Sequence, residues 1–229
     1  MILLLNENST KHEGLFKNTT TVNYANQIVV KKYFNFVVMK SFYSKSELLK
    51  IGFKSVGNDV LISRNSCFYG PENIVIGNNV RIDDFSVLSG NIIIGSNVHI
   101  ATFCGLYGGK GIVLHDFSGL SSRVSIYSES DDYMGEGLTN PVIPIKFRVV
   151  SSEVVTIGKH ALVGTGSTIL PGGELSEGSV LGAMSLLKTV TDSWSIYVGI
   201  PAKKVKLRKS SIINNLETSF IHETNNKEC

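Results

Sequence analysis

The chain has 229 residues, 22 of them Lys or Arg against 19 Asp or Glu, for a net charge of +3. That is enough chain for a sizeable core, and the nearly balanced charge without a basic block excludes a surface that tracks nucleic-acid phosphates. Met1–Leu5 is too short an apolar run for an export signal, Lys31 and Lys32 interrupt the apolar stretch from Ile28 to Met39, and the three cysteines have no Cys-x-x-Cys spacing. A cytoplasmic protein without a membrane span is the expectation.

Residues 1–43 show neither a repeat nor a clean helical stripe and read as an N-terminal extension. Ser44-Lys45-Ser46-Glu47 then forms a capping box ahead of Leu48, Leu49, Ile51 and a Gly52 stop, which predicts a short helix.

From Val56 the chain is organised by a period of six. The apolar leaders are Val56, Ile62, Phe68; Ile76, Ile82, Leu88, Ile94, Ile100, Leu106; Leu114, Leu120, Ile126; and Ile157, Val163, Ile169, Leu175, Leu181, Leu187. Four residues after each leader the side chain is small or β-branched at 16 of 18 positions, the exceptions being Glu72 and Lys110. Both exceptions precede a two-residue slip in the count, where a loosened corner is expected. Glycine follows the leader at positions 57, 77, 95, 158, 164 and 182, where a chain that must turn sharply needs a residue without a Cβ. An even period returns each leader to the same face of a strand, and β-branched enrichment favours strand over helix. Three hexads close one triangular turn, so the sequence predicts an all-β, parallel β-helix of about six stacked coils over 44–192. Each buried leader contributes roughly 1.5–3 kcal/mol while ordering each residue costs about 1–2 kcal/mol, so only stacked coils are stable.

Between Ile126 and Ile157 an inserted loop, 127–156, breaks the count and carries Asp131, Asp132, Tyr133, Asn140, Pro141 and Pro144. A long loop thrown from a regular solenoid usually binds something, although either aspartate also suits a capping role. Further on, 193–229 forms a C-terminal segment in which Ser210 or Ser211 caps a helix with Ile212, Ile213, Leu216 and Phe220 on one face. Among the histidines, His99 precedes inward Ile100 and therefore points outward from a wall; no pair has metal-ligand spacing, so no metal is expected. Cys104 falls on the inward small column, where burial is expected rather than nucleophilic reactivity.

The hexads, the interrupting loop and the closing string Gly199-Ile200-Pro201-Ala202-Lys203 occur in the order seen in hexapeptide-repeat acyltransferases of the left-handed β-helix type, in the sugar O-/N-acetyltransferase branch, which this chain resembles over about residues 44 to 208. The left-handed sense comes from that resemblance, since the general rule for parallel crossovers gives the right-handed one. The resemblance implies a homotrimer, acetyl-CoA as donor, and a sugar or nucleotide-sugar acceptor bound where the loop leans over a neighbouring subunit. It assigns Thr165 and Ala183 to the pantetheine arm, Trp194 and Pro201 to the adenine end, and Lys203, Lys206 and Arg208 to coenzyme A phosphates. The family pattern has Thr-Lys where this chain has Lys188-Thr189.

At the loop's start the family often carries a histidine as general base. Here the string is Ser130-Asp131-Asp132-Tyr133, with Asp131 in that place. An alcohol needs a base before it attacks a thioester, whereas a sugar amine is partly neutral near physiological pH. The departure therefore favours the amino group of a nucleotide-linked amino sugar for surface polysaccharide, with Asp131 and His99 as catalytic candidates and Asp132, Tyr133 and Asn140 at the acceptor. Asp131 would serve as a base only if desolvation raised its pKa. The alternatives are a galactoside acetyltransferase-like O-acetyltransferase, a non-catalytic scaffold, and a zinc enzyme that would require a histidine cluster.

Overall fold

The computed structural model describes residues 41–225. The extension expected over 1–43 lies outside the described residues except for Ser41, Phe42 and Tyr43, as does Cys229. Tyr43 N–H donates to Ile62 O at 2.9 Å, so the chain enters along the first coil. Helix α1 (Lys45–Ile51) follows, with Glu47 accepting from Ser44 N–H at 2.8 Å and Gly52 closing it at φ 91°. Arg64 and Ser44 hold the Glu47 carboxyl down to about 2.

The coils then run in chain order. Coil one is β1 (Ser55–Val56), β2 (Leu61–Ile62) and β3 (Cys67–Tyr69); coil two is β4 (Ile74–Ile76), β5 (Arg81–Ile82) and the start of β6 (Val87–Ile94). Coil three uses the end of β6, β7 (His99–Ile100) and the start of β8 (Gly105–Leu114), and coil four the end of β8, β9 (Gly119–Leu120) and β10 (Ser125–Tyr127). An arm with β11 (Glu129–Asp131) and β12 (Val150–Ser152) intervenes. Coil five is β13 (Val155–Ile157), β14 (Leu162–Val163) and β15 (Thr168–Ile169); coil six is β16 (Glu174–Leu175), β17 (Val180–Leu181) and β18 (Leu186–Leu187). A seventh turn begins with β19 (Ser195–Val198), against which β20 (Lys203–Leu207) folds back antiparallel.

Parallel pairing stacks these strands into three walls, and the leaders fall in register within each. The first wall aligns Val56, Ile76, Ile94, Leu114, Ile157 and Leu175. The second aligns Ile62, Ile82, Ile100, Leu120, Val163 and Leu181. The third aligns Phe68, Leu88, Leu106, Ile126, Ile169 and Leu187. All are buried apart from half-buried Val56 and Phe68, which sit in the first coil with stacking on one side only. The small inward column carries a second device: Ser86 Oγ donates to Ala101 O at 3.0 Å, Ser167 Oγ to Gly182 O at 2.8 Å and Ser179 Oγ to Asp192 O at 2.6 Å. Buried hydroxyls thus satisfy corner carbonyls of the next coil, which an alanine would leave unpaired.

Both slips fall at the edge between the third and first walls, at a 3-10 turn (Pro71–Asn73) and within β8, where Gly111 takes φ 143°. The glycines after the leaders act differently from the expectation. None of them has positive φ; the left-handed residues lie two places further on, at Asp59, Asn79, Asn97, His160, Gly166 and Met184. Close approach explains the glycines instead, because a Cβ on Gly77 would lie 2.7 Å from the Gly95 carbonyl carbon and one on Gly164 2.4 Å from Ala183 N.

The C-terminal helix α2 (Ser211–Asn225) packs on the solenoid. Glu217 accepts from Lys159 at 2.6 Å and meets His160 Nε2 at 2.8 Å, while Phe220 contacts Phe117 edge-to-face at 5.9 Å. Ile213, Leu216 and Phe220 line a groove of about 480 Å³ with Asn79, Asn97 and His99 opposite.

Candidate functional site

The arm is anchored where it leaves the third wall. Ser128 is buried, and its Oγ donates to Tyr107 O at 3.1 Å and accepts from Lys110 N–H at 3.0 Å. Beyond it β11 and β12 pair antiparallel, Asp131 opposite Val150. Two residues past that pair, Arg148 Nη2 donates to Asp131 Oδ1 at 2.8 Å; Asn140 N–H donates to Oδ2 at 3.1 Å. The Arg148 guanidinium, with help from the Asn140 N–H, holds the Asp131 carboxyl below the usual carboxylate range. Desolvation therefore does not raise this group into the range of a general base. Arg148 Nε is buried and has no hydrogen-bond partner among the described residues.

Asp132 folds the arm's own turn, accepting from the N–H groups of Met134, Glu136 and Gly137, and these bonds, the Met134 one foremost, hold its carboxyl low. Tyr133 at the tip is 91% exposed and Asn140 is exposed as well.

His99 stands on β7 of the second wall, exposed, with Nε2 2.8 Å from Asp83 Oδ2 of the coil below. Arg81 Nε donates to the other oxygen of Asp83 at 2.7 Å. Burial pushes the Asp83 carboxyl up, but the bonds from His99 and Arg81 outweigh it and leave it below its ordinary value. An ionised Asp83 only accepts, so Nε2 carries the hydrogen and Nδ1 is the nitrogen left to take a proton. His99 projects from the second wall, whereas Asp131 lies on the β11–β12 hairpin, a sheet of its own that follows the third wall's β10.

The residues expected along coenzyme A divide between two edges of the second wall. At the edge with the third wall, Gly164-Thr165-Gly166 and Gly182-Ala183-Met184 lie on successive coils, joined by Met184 N–H to Thr165 O at 2.9 Å, with Thr165 and Ala183 exposed. Thr165 Oγ1 donates one coil down to Ser122 O at 2.7 Å. Pro201 continues this edge: Ala202 N–H donates to Leu186 O at 2.8 Å, and Lys203 pairs with Val198 beside the turn. Trp194 sits at the opposite edge, over Gly178 and 6.2 Å from the His160 ring. There Arg208 Nη1 donates to the carbonyls of His160 and Gly178, both at 2.8 Å, and its guanidinium lies 5.8 Å from the Trp194 ring. Lys206, opposite Ile196, lies between the two edges.

Sequence reasoning missed Arg148, Asp83 and Glu217 as partners of Asp131, His99 and His160. Asp83 was within reach of the pattern: Arg81 faces His99 in the parallel register, and the next side chain on that face of the wall is Asp83. Arg148 carried no signal, because its approach depends on a hairpin inside the insertion.

Cys104 is buried, its Sγ donates to Ser121 O at 3.3 Å, and burial pushes its thiol up to about 11, so it is held neutral and away from solvent. No group of three or more metal-ligating side chains occurs among the described residues, and no helix there is long and apolar enough to cross a membrane.

Residues 73–108 match the family model described as bacterial transferase hexapeptide (six repeats). The chain is 42% identical over 183 residues, 79% of its length and 95% of the relative's, to the dTDP-4-amino-4,6-dideoxy-D-glucose acyltransferase of Escherichia coli. It is similar in structure to AntD, an N-acyltransferase from Bacillus cereus in complex with dTDP and 3-hydroxybutyryl-CoA, at 48% identity and a TM-score of 0.79, covering 82% of this chain and all of that one. A serine variant of AntD holds dTDP-4-amino-4,6-dideoxyglucose and coenzyme A; it is 47% identical, with a TM-score of 0.78 and coverage of 81% and 99%. An aspartate ten residues after that serine has also been varied.

Proposed function

The chain belongs to the hexapeptide-repeat acyltransferase family, and we propose that it moves an acyl group from coenzyme A to the amino group of dTDP-4-amino-4,6-dideoxyglucose or a close relative of that sugar nucleotide. The observation that carries the choice of an amine is the Asp131–Arg148 pair. Where the family's hydroxyl-acylating members place a histidine base, this arm holds a carboxylate kept ionised by a guanidinium. Such a group does not deprotonate an alcohol at useful rates, but it orients and attracts an amine. The neutral amine attacks the thioester carbonyl, the C–S bond breaks as the C–N bond forms, and the proton shed by nitrogen is balanced by the one the departing thiolate takes up. No acyl-enzyme is involved, in keeping with the buried, neutral Cys104 thiol.

Two Ser–Asp pairs at ten-residue spacing occur in this chain, Ser121 with Asp131 and Ser122 with Asp132, and the spacing of the varied AntD residues supports placing the reaction where the arm meets this corner. Thr165, Ala183, Pro201 and Lys203 share the edge that leads there and are proposed as the donor's path, with Lys206 reaching its phosphates. Trp194 remains a proposed contact for the adenine end, approached from the far edge, and Arg208 on that edge a proposed contact for coenzyme A phosphates. The acyl group is proposed to be acetyl.

The arm exposes Tyr133, Met134 and Val142, at 91, 85 and 86%, more apolar surface than a solitary loop favours. We read it as reaching a neighbouring subunit of a homotrimer, where Asp131 of one protomer meets the edge or the His99 wall of the next, with Asp132, Tyr133 and Asn140 facing the acceptor. Both substrates are products of cytoplasmic metabolism, and that compartment is proposed for the enzyme. A second reading, O-acylation, rests on His99 backed by Asp83.

Release of free thiol decides among these. Acetyl-CoA and longer acyl-CoA donors are offered with dTDP-4-amino-4,6-dideoxyglucose and with its 4-hydroxy counterpart; turnover confined to the hydroxy sugar overturns the proposal, and preference for a longer donor overturns the acetyl assignment.

A further inference from the structure

Apart from coil one's corner with the third wall, the coils turn both corners of the second wall through a residue in the left-handed region, and the two edges fill that position differently. At the edge with the first wall the residues are Asp59, Asn79, Asn97, Phe117, His160, Gly178 and Trp194. Aspartate, asparagine and glycine are the types that tolerate this conformation best. The bulky ones have a packing role: Phe117 stacks on His160 at 5.1 Å beneath α2, and Trp194 covers Gly178. At the edge with the third wall the series is Phe85, Phe103, Arg123, Gly166 and Met184, with φ of 59°, 62° and 62° at the first three. Phe85 and Phe103 stack at 5.0 Å and 22° yet remain 54% and 50% exposed, and Arg123 Cζ lies 5.5 Å from the Phe103 centroid. No helix or strand among the described residues covers them. Backbone strain kept at two exposed aromatic rings, where asparagine costs less, points to a task for the rings themselves.

We propose that Phe85, Phe103 and Arg123 form the platform for the acceptor's base and diphosphate, the rings stacking on the flat heterocycle and the guanidinium meeting phosphate. This rests on the function proposed above. Aromatic faces bind bases through stacking, and a planar guanidinium matches phosphate oxygens with paired donors. Both coenzyme A and a thymidine diphosphate sugar carry a base and a diphosphate, and position chooses between them. The platform occupies coils two to four of the same edge on which Ala183 and Pro201 mark coil six and its sequel. At the usual strand spacing Phe103 is therefore about 14 Å below Ala183. A donor whose adenine end lies at the Pro201 turn points its thioester down the edge, so the ring pair is met by a ligand arriving from the other end.

Calorimetric titration of dTDP and of coenzyme A into the full-length wild type, F103N, F85N and R123Q tests the assignment. Asparagine suits the left-handed corner, so F103N and F85N keep or raise the melting temperature. The expected result is dTDP affinity lowered about tenfold or more in each variant, in line with the worth of one stacked base, with coenzyme A affinity within about twofold of wild type. Unchanged dTDP affinity overturns the proposal; so does loss of coenzyme A affinity instead, which would put the donor's adenine there, or a fall in assembly mass, which would make the rings a subunit contact. The catalytic reading stands or falls separately on wild-type turnover. Turnover of the amino sugar nucleotide with intact dTDP binding in F103N sinks only the platform, whereas a wild type that binds coenzyme A but no dTDP sinks both.

Discussion

Replacing Asp131 by asparagine separates an orienting carboxylate from a general base. The side chain keeps its shape and one acceptor oxygen but loses the charge that faces Arg148 Nη2 at 2.8 Å and Asn140 N–H at 3.1 Å. A carboxyl held below its usual value stays ionised as pH falls until that lowered value is reached, so Asp131 contributes no limb to a rate profile between about pH 5.5 and 9. The ionisation required in that window is the acceptor ammonium shedding its proton. We therefore expect kcat/KM to rise with pH in the wild type and to rise with the same midpoint in D131N, on a curve lowered about ten- to a hundred-fold, the worth of one charge-assisted hydrogen bond to the amine. Initial rates of thiol release at sub-saturating acceptor supply both curves. A D131N enzyme within about twofold of wild type refutes the reasoning, and so does a variant whose limb disappears or moves, because the limb would then belong to the carboxylate.

Three further outcomes follow from the packing. Leu106 is fully buried in coil three, between Leu88 and Ile126, and L106A should cost about 3–5 kcal/mol in urea unfolding; a loss under about 1 kcal/mol contradicts a close-packed interior. In G164A the added Cβ would stand 2.4 Å from Ala183 N, a backbone atom without room to yield, so lower melting temperature and weaker coenzyme A binding are expected together; wild-type behaviour in both disproves the close approach. Glu217 is held below its ordinary value chiefly by Lys159 and then His160, against desolvation. Its contribution to stability is then present above the unfolded-state pKa and is lost as pH falls through the lower folded-state value. The melting-temperature gap between wild type and E217Q should accordingly be open at pH 7 and close below about pH 4, and a gap that persists in acid removes the ion pair as its cause.

The architecture was legible because a solenoid writes its register into one dimension. A leader such as Ile100 needs only Ile82 and Leu120 at fixed offsets, so a period found by counting also fixes who stacks on whom. The two slips at Glu72 and Lys110 were readable for the same reason, as departures from a regular count. Partners that cross between elements were not readable. Asp131 and Arg148 meet only because β11 and β12 form a hairpin, and His160 meets Glu217 across 57 residues through a helix whose docking no periodicity specifies. The glycines at 77 and 164 were found for the wrong reason: the sequence shows that a Cβ is missing, while the coil above, which is what forbids it, lies eighteen or nineteen residues away.

The solenoid also separates what holds it together from what we propose it does. Stability resides in inward columns where substitution is judged by volume, and in serine hydroxyls that close corner carbonyls. The outward corners are less constrained by volume, although some bond between coils, as Asn79 Nδ2 does to Asn97 Oδ1 at 2.7 Å, so they are freer to carry side chains that tolerate a left-handed backbone. One edge uses that freedom to seat α2, placing Phe117 beneath Phe220 and His160 beside Glu217. The other leaves Phe85, Phe103, Arg123, Thr165 and Ala183 facing solvent in a line along the stack. Were its left-handed positions, Phe85, Phe103 and Arg123, only structural, aspartate, asparagine or glycine would fill them at lower cost, as Asn79 and Asn97 do on the opposite edge of coils two and three. We read the difference between two edges built on one backbone geometry as a difference in task, with substrate recognition proposed on the edge that nothing else among the described residues covers.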